Sequence, residues 1–157
     1  MLNKVTNVKI KAAPKGARFA IVASKYNRRF VDGMLRPAKA VLTQGGTVEV
    51  KVVRVPGAFE IPVVAAKLAA NSQRPFSAII CLGVILRGET THAQHVGEAV
   101  SLALARLQVT YHIPIIHEVL LLENEEQARV RCLSQTHNRG QEAALTALEM
   151  ARTMASL

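Results

Sequence analysis

The chain contains no tryptophan and few aromatic residues of any kind. Its four Phe and two Tyr make up 4% of the 157 residues. Proteins that bind single-stranded nucleic acid rely on exposed aromatic rings on which bases stack, so this scarcity argues against that class. No apolar run approaches the roughly 18 residues of a membrane-spanning helix, and residues 1–15 lack the continuous apolar stretch of a signal peptide. We therefore expect a cytoplasmic protein without a membrane partner.

Cysteines are also few, and their positions match no redox or metal motif. Cys81 lies within the apolar run 78–82, and Cys132 follows a charged segment. The sequence has no C-x-x-C spacing and no Cys/His cluster with metal-ligand spacing. We expect both thiols to be free and no metal site.

Acidic residues are in deficit, with 11 Asp+Glu against 20 Lys+Arg and a net charge of +9. A surface that binds nucleic acid needs its Lys and Arg clustered on one face, whereas here they are spread along the chain, apart from a loose group near the N-terminus. A solvated basic surface is the simplest interpretation, an anionic small-molecule substrate is the second, and nucleic acid is the third.

What the sequence does contain is an alternation of strand-like and helix-like segments. The predicted strands are residues 18–23, 47–55, 77–86 and 113–122. Segments with helical apolar periodicity follow them, around 31–42, from Pro62, after Thr90, and at 123–131 and 138–154. The third strand is almost entirely apolar, which is typical of a parallel sheet covered on both faces. The order predicts one α/β domain over residues 1–157, with a four-stranded parallel sheet between two helical layers.

Two local signals within the predicted helices are specific. Pro37 falls inside the first helix, where a proline removes a backbone hydrogen bond and lowers stability unless it lies in the first turn. Asn138 comes directly before the last helix, with Gln141 three residues later. That pair predicts a helix N-cap.

Ligands in open α/β sheets bind beyond the carboxyl ends of the strands. Four stretches fall there: 25–27, 56–60, 83–92 and 117–122. The third has the two-glycine spacing of a P-loop, but Glu89 stands where that motif requires Lys, which argues against ATP or GTP hydrolysis. No G-x-G-x-x-G follows a predicted strand, so a dinucleotide cofactor is not supported.

The segment 88–92 begins a predicted helix. Its free backbone N–H groups and two threonine hydroxyls favour an anion such as phosphate. His92 lies at the same helix start and can exchange protons near neutral pH. The alternative is that His92 is only a polar residue at a helix N-terminus.

Other candidate side chains stay ambiguous at this level. Glu60 either contacts a ligand or interacts with the dipole of the helix that it precedes. Arg131 and Arg139 flank the connection 132–138, and they either clamp a phosphate or lie on the solvated surface. His117 is either a flat ring in the crevice or a buried histidine whose hydrogen bonds are satisfied.

Taken together, these stretches resemble the lumazine synthase (6,7-dimethyl-8-ribityllumazine synthase) family from about residue 18 to the C-terminus. The most specific motifs are Val-Pro-Gly-Ala-Phe-Glu-Ile-Pro at 55–62 and Arg-Gly-Glu-Thr-Thr-His at 87–92, supported by 123–128 and 138–144. The resemblance implies a flavodoxin-like, three-layer α/β/α fold. It also implies condensation of 5-amino-6-(D-ribitylamino)uracil with 3,4-dihydroxy-2-butanone 4-phosphate, the penultimate step of riboflavin biosynthesis, without metal or organic cofactor.

The resemblance also implies roles for individual residues. His92 matches the acid/base histidine, and Arg131 matches the phosphate-binding arginine. Tyr26 matches the aromatic residue that stacks on the pyrimidine. The remaining implied substrate contacts are Ala58 and Glu60 at the ribityl chain, Leu86 in the pocket wall, the backbone of Glu89 and Thr90 at the phosphate, and His117, Arg139 and Glu142. His117 stands where the family usually has Phe, and Arg139 where it usually has Lys.

Members of this family build their sites between adjacent subunits of a pentamer, so the resemblance implies a homo-oligomer. Some members assemble pentamers into an icosahedral shell, and the sequence does not choose between these assemblies. Residues 1–17 are expected to form an N-terminal arm in which 5–12 adds a strand to a neighbour's sheet. Two other classes stay open: a non-catalytic flavodoxin-like module that binds a flavin or a phosphate, and a nucleic-acid-associated protein.

Overall fold

The computed structural model describes residues 8–157. Strands and helices alternate along it as the apolar periodicity predicts. The elements are β1 Arg18–Ser24, α1 Arg28–Gln44, β2 Glu49–Val55, α2 Ile61–Ala69, β3 Ala78–Leu86, α3 His92–Tyr111, β4 Ile115–Leu122, α4 Glu125–Cys132 and α5 Arg139–Ala155. A single 3-10 turn, Ala58–Glu60, precedes α2. The predicted order of nine elements is confirmed.

The four strands form one parallel sheet in the order β2-β1-β3-β4. The two central strands are almost completely buried, whereas β2 at one edge is mostly half-buried. The nearly continuous apolar run of β3 follows from this position, because side chains on both of its faces pack against helices. Strand β4 begins two residues later than predicted, since the preceding Pro114 has no N–H to contribute to the ladder.

Helices cover both faces of the sheet, and each face has its own apolar core. Alternate residues of β1 point to opposite sides, with Phe19 and Ile21 packed against α1, α4 and α5. Ala20 and Val22 pack against α2 and α3 on the other face. This is the predicted three-layer α/β/α, flavodoxin-like arrangement.

Helix α5 begins at a side-chain cap and lies very close to α1. The Oδ1 atom of Asn138 accepts hydrogen bonds from the backbone N–H groups of Gly140 (2.9 Å) and Gln141 (3.2 Å), which confirms the predicted N-cap. A Cβ atom at Gly140 would collide with the backbone of Met34 in α1, so the two helices require glycine at their contact. Pro37 lies inside α1, well past its first turn.

Both cysteines are buried and free, as predicted. The predicted arm strand at 5–12 lies partly outside the described residues, and its described part, 8–12, is not a strand in this chain. That part instead lies near the end of α5, where Arg152 donates to the backbone carbonyls of Lys11 and Ala12. None of the helices in 8–157 is long and apolar enough to cross a membrane.

Candidate active site

A cavity of about 470 Å³ lies at the carboxyl ends of β1, β2 and β3. This is the location that the topology of an open parallel sheet predicts for a ligand site. Six of the predicted site residues line it: Tyr26, Ala58, Glu60, Leu86, Thr90 and His92. Glu89 lies in the same loop as Thr90 and is exposed, but it does not line the cavity.

Tyr26 projects into the cavity from the turn after β1. The turn is fixed to its neighbours, since the backbone N–H of Tyr26 donates to Pro56 O at 3.0 Å and Asn27 Nδ2 donates to Val84 O at 2.7 Å. Asn27 itself has a left-handed backbone with φ of 54°, a conformation that Asn adopts more readily than most residues. Tyr26 is 74% exposed as a residue. A fixed backbone and an open ring suit stacking on a planar heterocycle.

Glu60 closes the turn after β2 and also lines the cavity. Its Oε2 atom accepts a hydrogen bond from the backbone N–H of Gly57 at 2.8 Å, which closes the turn after β2. The same residue lines the cavity beside Ala58 and the exposed ring of Phe59. The turn therefore holds the Glu60 carboxylate at the cavity wall without burying it.

The start of α3 forms the polar end of the cavity. Gly88, Thr90 and His92 are exposed there, and the N-cap residue Thr91 makes no side-chain cap. The first N–H groups of a helix have no intrahelical partner, so this end can donate to an anion. The His92 ring is open to solvent and lines the cavity, so it can reach a bound molecule.

The other four predicted site residues lie around β4, outside this cavity. Arg139 at the start of α5 makes a two-point ion pair with Glu118 of β4, with Nε–Oε2 at 3.1 Å and Nη2–Oε1 at 2.9 Å. Its Nη1 atom also donates to Oε2 of Glu142 at 2.5 Å. Arg131 lies in the last turn of α4 and is half-buried. We call Glu118, Arg131, Arg139 and Glu142 the β4 charge cluster.

Glu118 is the member of this cluster that the sequence reasoning missed. It is only 6% exposed, and burial raises the pKa of its carboxyl to about 7, although the charge of Arg139 opposes the rise. One signal was available, since a single acidic residue interrupts the apolar segment 113–122. Buried acidic groups in proteins almost always have a partner.

His117 lies on the opposite face of β4 from Glu118. Its Nε2 atom is 2.7 Å from Ser101 Oγ, and its Nδ1 atom accepts from the backbone N–H of Val119 at 3.3 Å. Burial lowers the pKa of the half-buried imidazole. Within the chain, His117 is therefore a histidine with satisfied hydrogen bonds.

The cavity has no strong cation of its own. Among the described residues that line it there is no Lys or Arg, and the one acidic side chain is Glu60. Residues 8–157 also contain no group of three or more His, Cys, Asp or Glu side chains arranged to bind a metal.

Comparison with known proteins assigns the family. Residues 16–155 match the family model described as 6,7-dimethyl-8-ribityllumazine synthase. A protein of that name from Stenotrophomonas maltophilia (strain R551-3) is 40% identical over 92% of this chain and 93% of its own length. Another from Xanthomonas oryzae pv. oryzae (strain PXO99A) is 40% identical over 90% of this chain and 92% of its own length. The extent of these matches shows that the chain belongs to the 6,7-dimethyl-8-ribityllumazine synthase family.

Proposed function

We propose that this chain catalyses the condensation of 5-amino-6-(D-ribitylamino)uracil with 3,4-dihydroxy-2-butanone 4-phosphate, which yields 6,7-dimethyl-8-ribityllumazine, phosphate and water. The observation that carries the proposal is the cavity at the strand ends, where an open aromatic ring, a carboxylate and an exposed imidazole meet. A family member with this set of side chains has the groups that the reaction needs. A non-catalytic flavin-binding or phosphate-binding module would not need the imidazole.

The side chains of the cavity suit distinct parts of the two substrates. Tyr26 stacks on the pyrimidine ring, while Ala58 and Glu60 contact the hydroxyl-rich ribityl chain. Leu86 supplies an apolar wall. The backbone N–H groups around Glu89 and Thr90 donate to the phosphate at the start of α3.

His92 moves protons while the substrates react. The pyrimidine amine attacks the ketone, and a first water leaves to give an imine. Elimination of phosphate then leaves an enol, which becomes a ketone by proton transfer. The second amine attacks that carbonyl, and a second water leaves as the ring closes. Each step transfers a proton, and an exposed imidazole can both accept and donate one. Because the amine and the ketone are reactive partners, most of the acceleration comes from holding them together.

The phosphate requires a cation that one chain's cavity does not provide. A phosphate monoester carries close to two negative charges at neutral pH, and no Lys or Arg of the described chain lines the cavity. We infer that a neighbouring subunit brings its own β4 to the cavity. Arg131 of that subunit then binds the phosphate, with His117, Arg139 and Glu142 beside it.

The surface of the chain supports such an assembly. Strand β4 is an edge strand of the sheet, and large apolar side chains on α2 and α3 are open to solvent in the isolated chain, with exposures of 69% for Val63, 73% for Leu102 and 71% for Val109. A neighbouring subunit that covers these side chains would remove their apolar surface from water. We propose a homo-oligomer built from cyclic pentamers.

The same proposal covers the organisation and setting of the chain. Residues 8–157 form one domain, and residues 8–17 contact a neighbouring subunit. The protein acts in the cytoplasm on small molecules, without nucleic acid, membrane or cofactor. The even spread of basic residues along the sequence supports a solvated surface rather than a nucleic-acid face.

One experiment tests the activity directly. Purified protein is mixed with both substrates, and the fluorescence of the lumazine and the release of inorganic phosphate are followed together. We expect the two products to appear in equal amounts. Binding of either substrate without turnover would instead support the non-catalytic module, and native mass spectrometry of the same sample distinguishes a pentamer from a larger shell.

A further inference from the structure

Glu118 is a buried acidic residue to which the proposed reaction assigns no role. It lies on β4 beside Leu82 of β3, and its carboxylate meets Arg139 through two hydrogen bonds of 3.1 and 2.9 Å. A guanidinium held at two points has a fixed plane and direction. Glu118 therefore determines where the Arg139 side chain lies.

Arg139 also forms an ion pair with a second carboxylate. Its Nη1 atom donates to Glu142 at 2.5 Å, so two negative groups surround one cation. Arg131 differs, because it makes no ion pair within residues 8–157. It interacts with Glu118 only by longer-range electrostatic attraction. The β4 charge cluster therefore contains one neutralised arginine and one arginine whose charge is available.

We propose that Glu118 sets the anion affinity of the substrate site by holding Arg139 in place and neutralising its charge. Only Arg131 then attracts the phosphate strongly, while Arg139 offers its remaining N–H groups as directional donors. The inference rests on the proposed function, in which both arginines face the substrates. Glu118 acts through Arg139 and is a positioning residue.

Moderate phosphate affinity is a useful property for this reaction. The substrate carries the phosphate in, and inorganic phosphate must leave before the next turnover. Without Glu118, the site would carry one more net positive charge, bind the leaving phosphate more tightly and slow its release. A buried carboxylate beside one of them limits that attraction without removing its hydrogen-bond donors.

The charged and titratable groups around Glu118 determine how the anion affinity of the site responds to pH. Arg139 and Glu142 face it from α5, and Arg131 and Cys132 face it from α4. Burial raises the pKa of the Cys132 thiol to about 12, so that group stays neutral. Burial also raises the pKa of Glu118 to about 7. As the pH falls through this value, Glu118 loses its charge, the site becomes more positive, and its anion affinity rises.

Sulfate is a suitable probe, since it stays doubly charged across this pH range and needs no turnover. We would measure its dissociation constant by calorimetry on the full-length wild type and on Glu118→Gln, which keeps the side-chain shape and an acceptor for Arg139. At about pH 8 we expect Glu118→Gln to bind sulfate roughly threefold to tenfold more tightly, the size expected for one charge near a solvated site. This difference should shrink toward about pH 6, where wild-type Glu118 becomes protonated.

The histidines of the site are present in both proteins, so the comparison between them isolates Glu118. A matched control is Glu49→Gln, which also removes a carboxylate charge from an ion pair with an arginine. Glu49 lies on β2, at the opposite edge of the sheet from β4, and pairs with Arg18 of β1. We expect this control to bind sulfate as the wild type does. Glu118→Gln should also lower the KM for the phosphorylated ketone without a matching gain in kcat.

Equal sulfate affinities of the wild type and Glu118→Gln at about pH 8, or no sulfate binding by either, would overturn the proposal. If Glu118→Gln does not fold, Glu118→Met removes the same charge and suits the buried position, and the same expectations apply. Failure of the wild type to form the lumazine would contradict the proposed function instead, because the sulfate measurement does not depend on catalysis.

Discussion

The side-chain amide of Asn138 donates a hydrogen bond to the backbone carbonyl of Gly33 at 3.0 Å. In an α-helix that carbonyl would accept from the N–H of residue 37, but Pro37 has none to donate. The same amide nitrogen also donates to Cys132 O at 2.7 Å. One side chain thus joins α1, α4 and α5, and it supplies the hydrogen bond that the proline removes.

Replacing Asn138 should therefore destabilise the fold more than the loss of an ordinary cap. We expect Asn138→Ala to lower the free energy of unfolding by about 3 kcal/mol, since it removes a helix cap and leaves buried carbonyls unpaired. Asn124→Ala is the matched control. That residue caps the exposed start of α4 through one hydrogen bond to Gln127, so its loss should cost only about 1 kcal/mol. Urea unfolding measures both.

A double-mutant cycle tests the link to the proline. In a Pro37→Ala background, the new N–H can satisfy Gly33, so Asn138→Ala should cost about 1 kcal/mol less than in the wild type. Equal costs in the two backgrounds would show that the amide does not compensate for Pro37.

His92 should contribute to turnover mainly through proton transfer. We expect His92→Ala to lower kcat by roughly 10²-fold or less, because positioning supplies most of the acceleration. His95→Ala is the control, since His95 lies on the same helix and is exposed but does not line the cavity. Initial rates of lumazine fluorescence compare them. A loss of similar size in both variants would mean that the effect is not specific to the cavity.

Arg131 should act on the phosphorylated substrate alone. We expect Arg131→Ala to raise the KM for 3,4-dihydroxy-2-butanone 4-phosphate by about tenfold or more, the cost of a lost charge-assisted hydrogen bond. The KM for the pyrimidine should change little. Arg129→Ala, in the same helix but exposed and paired with Glu126, should leave both constants near the wild-type values. Steady-state kinetics with each substrate varied in turn measure the two KM values. An equal rise in both would contradict this assignment.

The half-buried imidazole of His117 predicts a pH effect on stability. Burial lowers its pKa in the folded state, so below the ordinary value of about 6.5 the unfolded chain binds the proton more readily. The wild type should therefore lose stability relative to His117→Phe as the pH falls from about 7.5 to about 5.5. Glu118, whose folded pKa is raised, acts in the opposite direction in both proteins and cancels in the comparison. Urea midpoints at each pH measure the difference, and a constant difference would exclude the effect.

The order of elements was predictable because apolar periodicity reflects local burial. The apolar run predicted as a strand at 77–86 is β3, which begins one residue later than predicted. The polar groups after three of the strands line one cavity, as expected for the carboxyl edge of a parallel sheet. Tyr26, Glu60 and His92 could be placed together for this reason.

The partners of individual buried groups could not be predicted in the same way. Asn138 and Gly33 are 105 residues apart in sequence, and Arg139 and Glu118 are 21 apart. Alternation along β4 places His117 and Glu118 on opposite faces, but it does not say which helix end covers each face. Such pairings depend on how α4 and α5 pack, and no local pattern encodes that packing.

The separation of the cavity from the β4 charge cluster has a genetic consequence. If each working site combines His92 of one subunit with Arg131 of the next, chains that carry only one of the two defects can rescue each other. In a randomly mixed ring of His92→Ala and Arg131→Ala subunits, about a quarter of the junctions would pair an intact histidine with an intact arginine. Two alleles that are each impaired alone would then form the lumazine faster when expressed together than either does by itself.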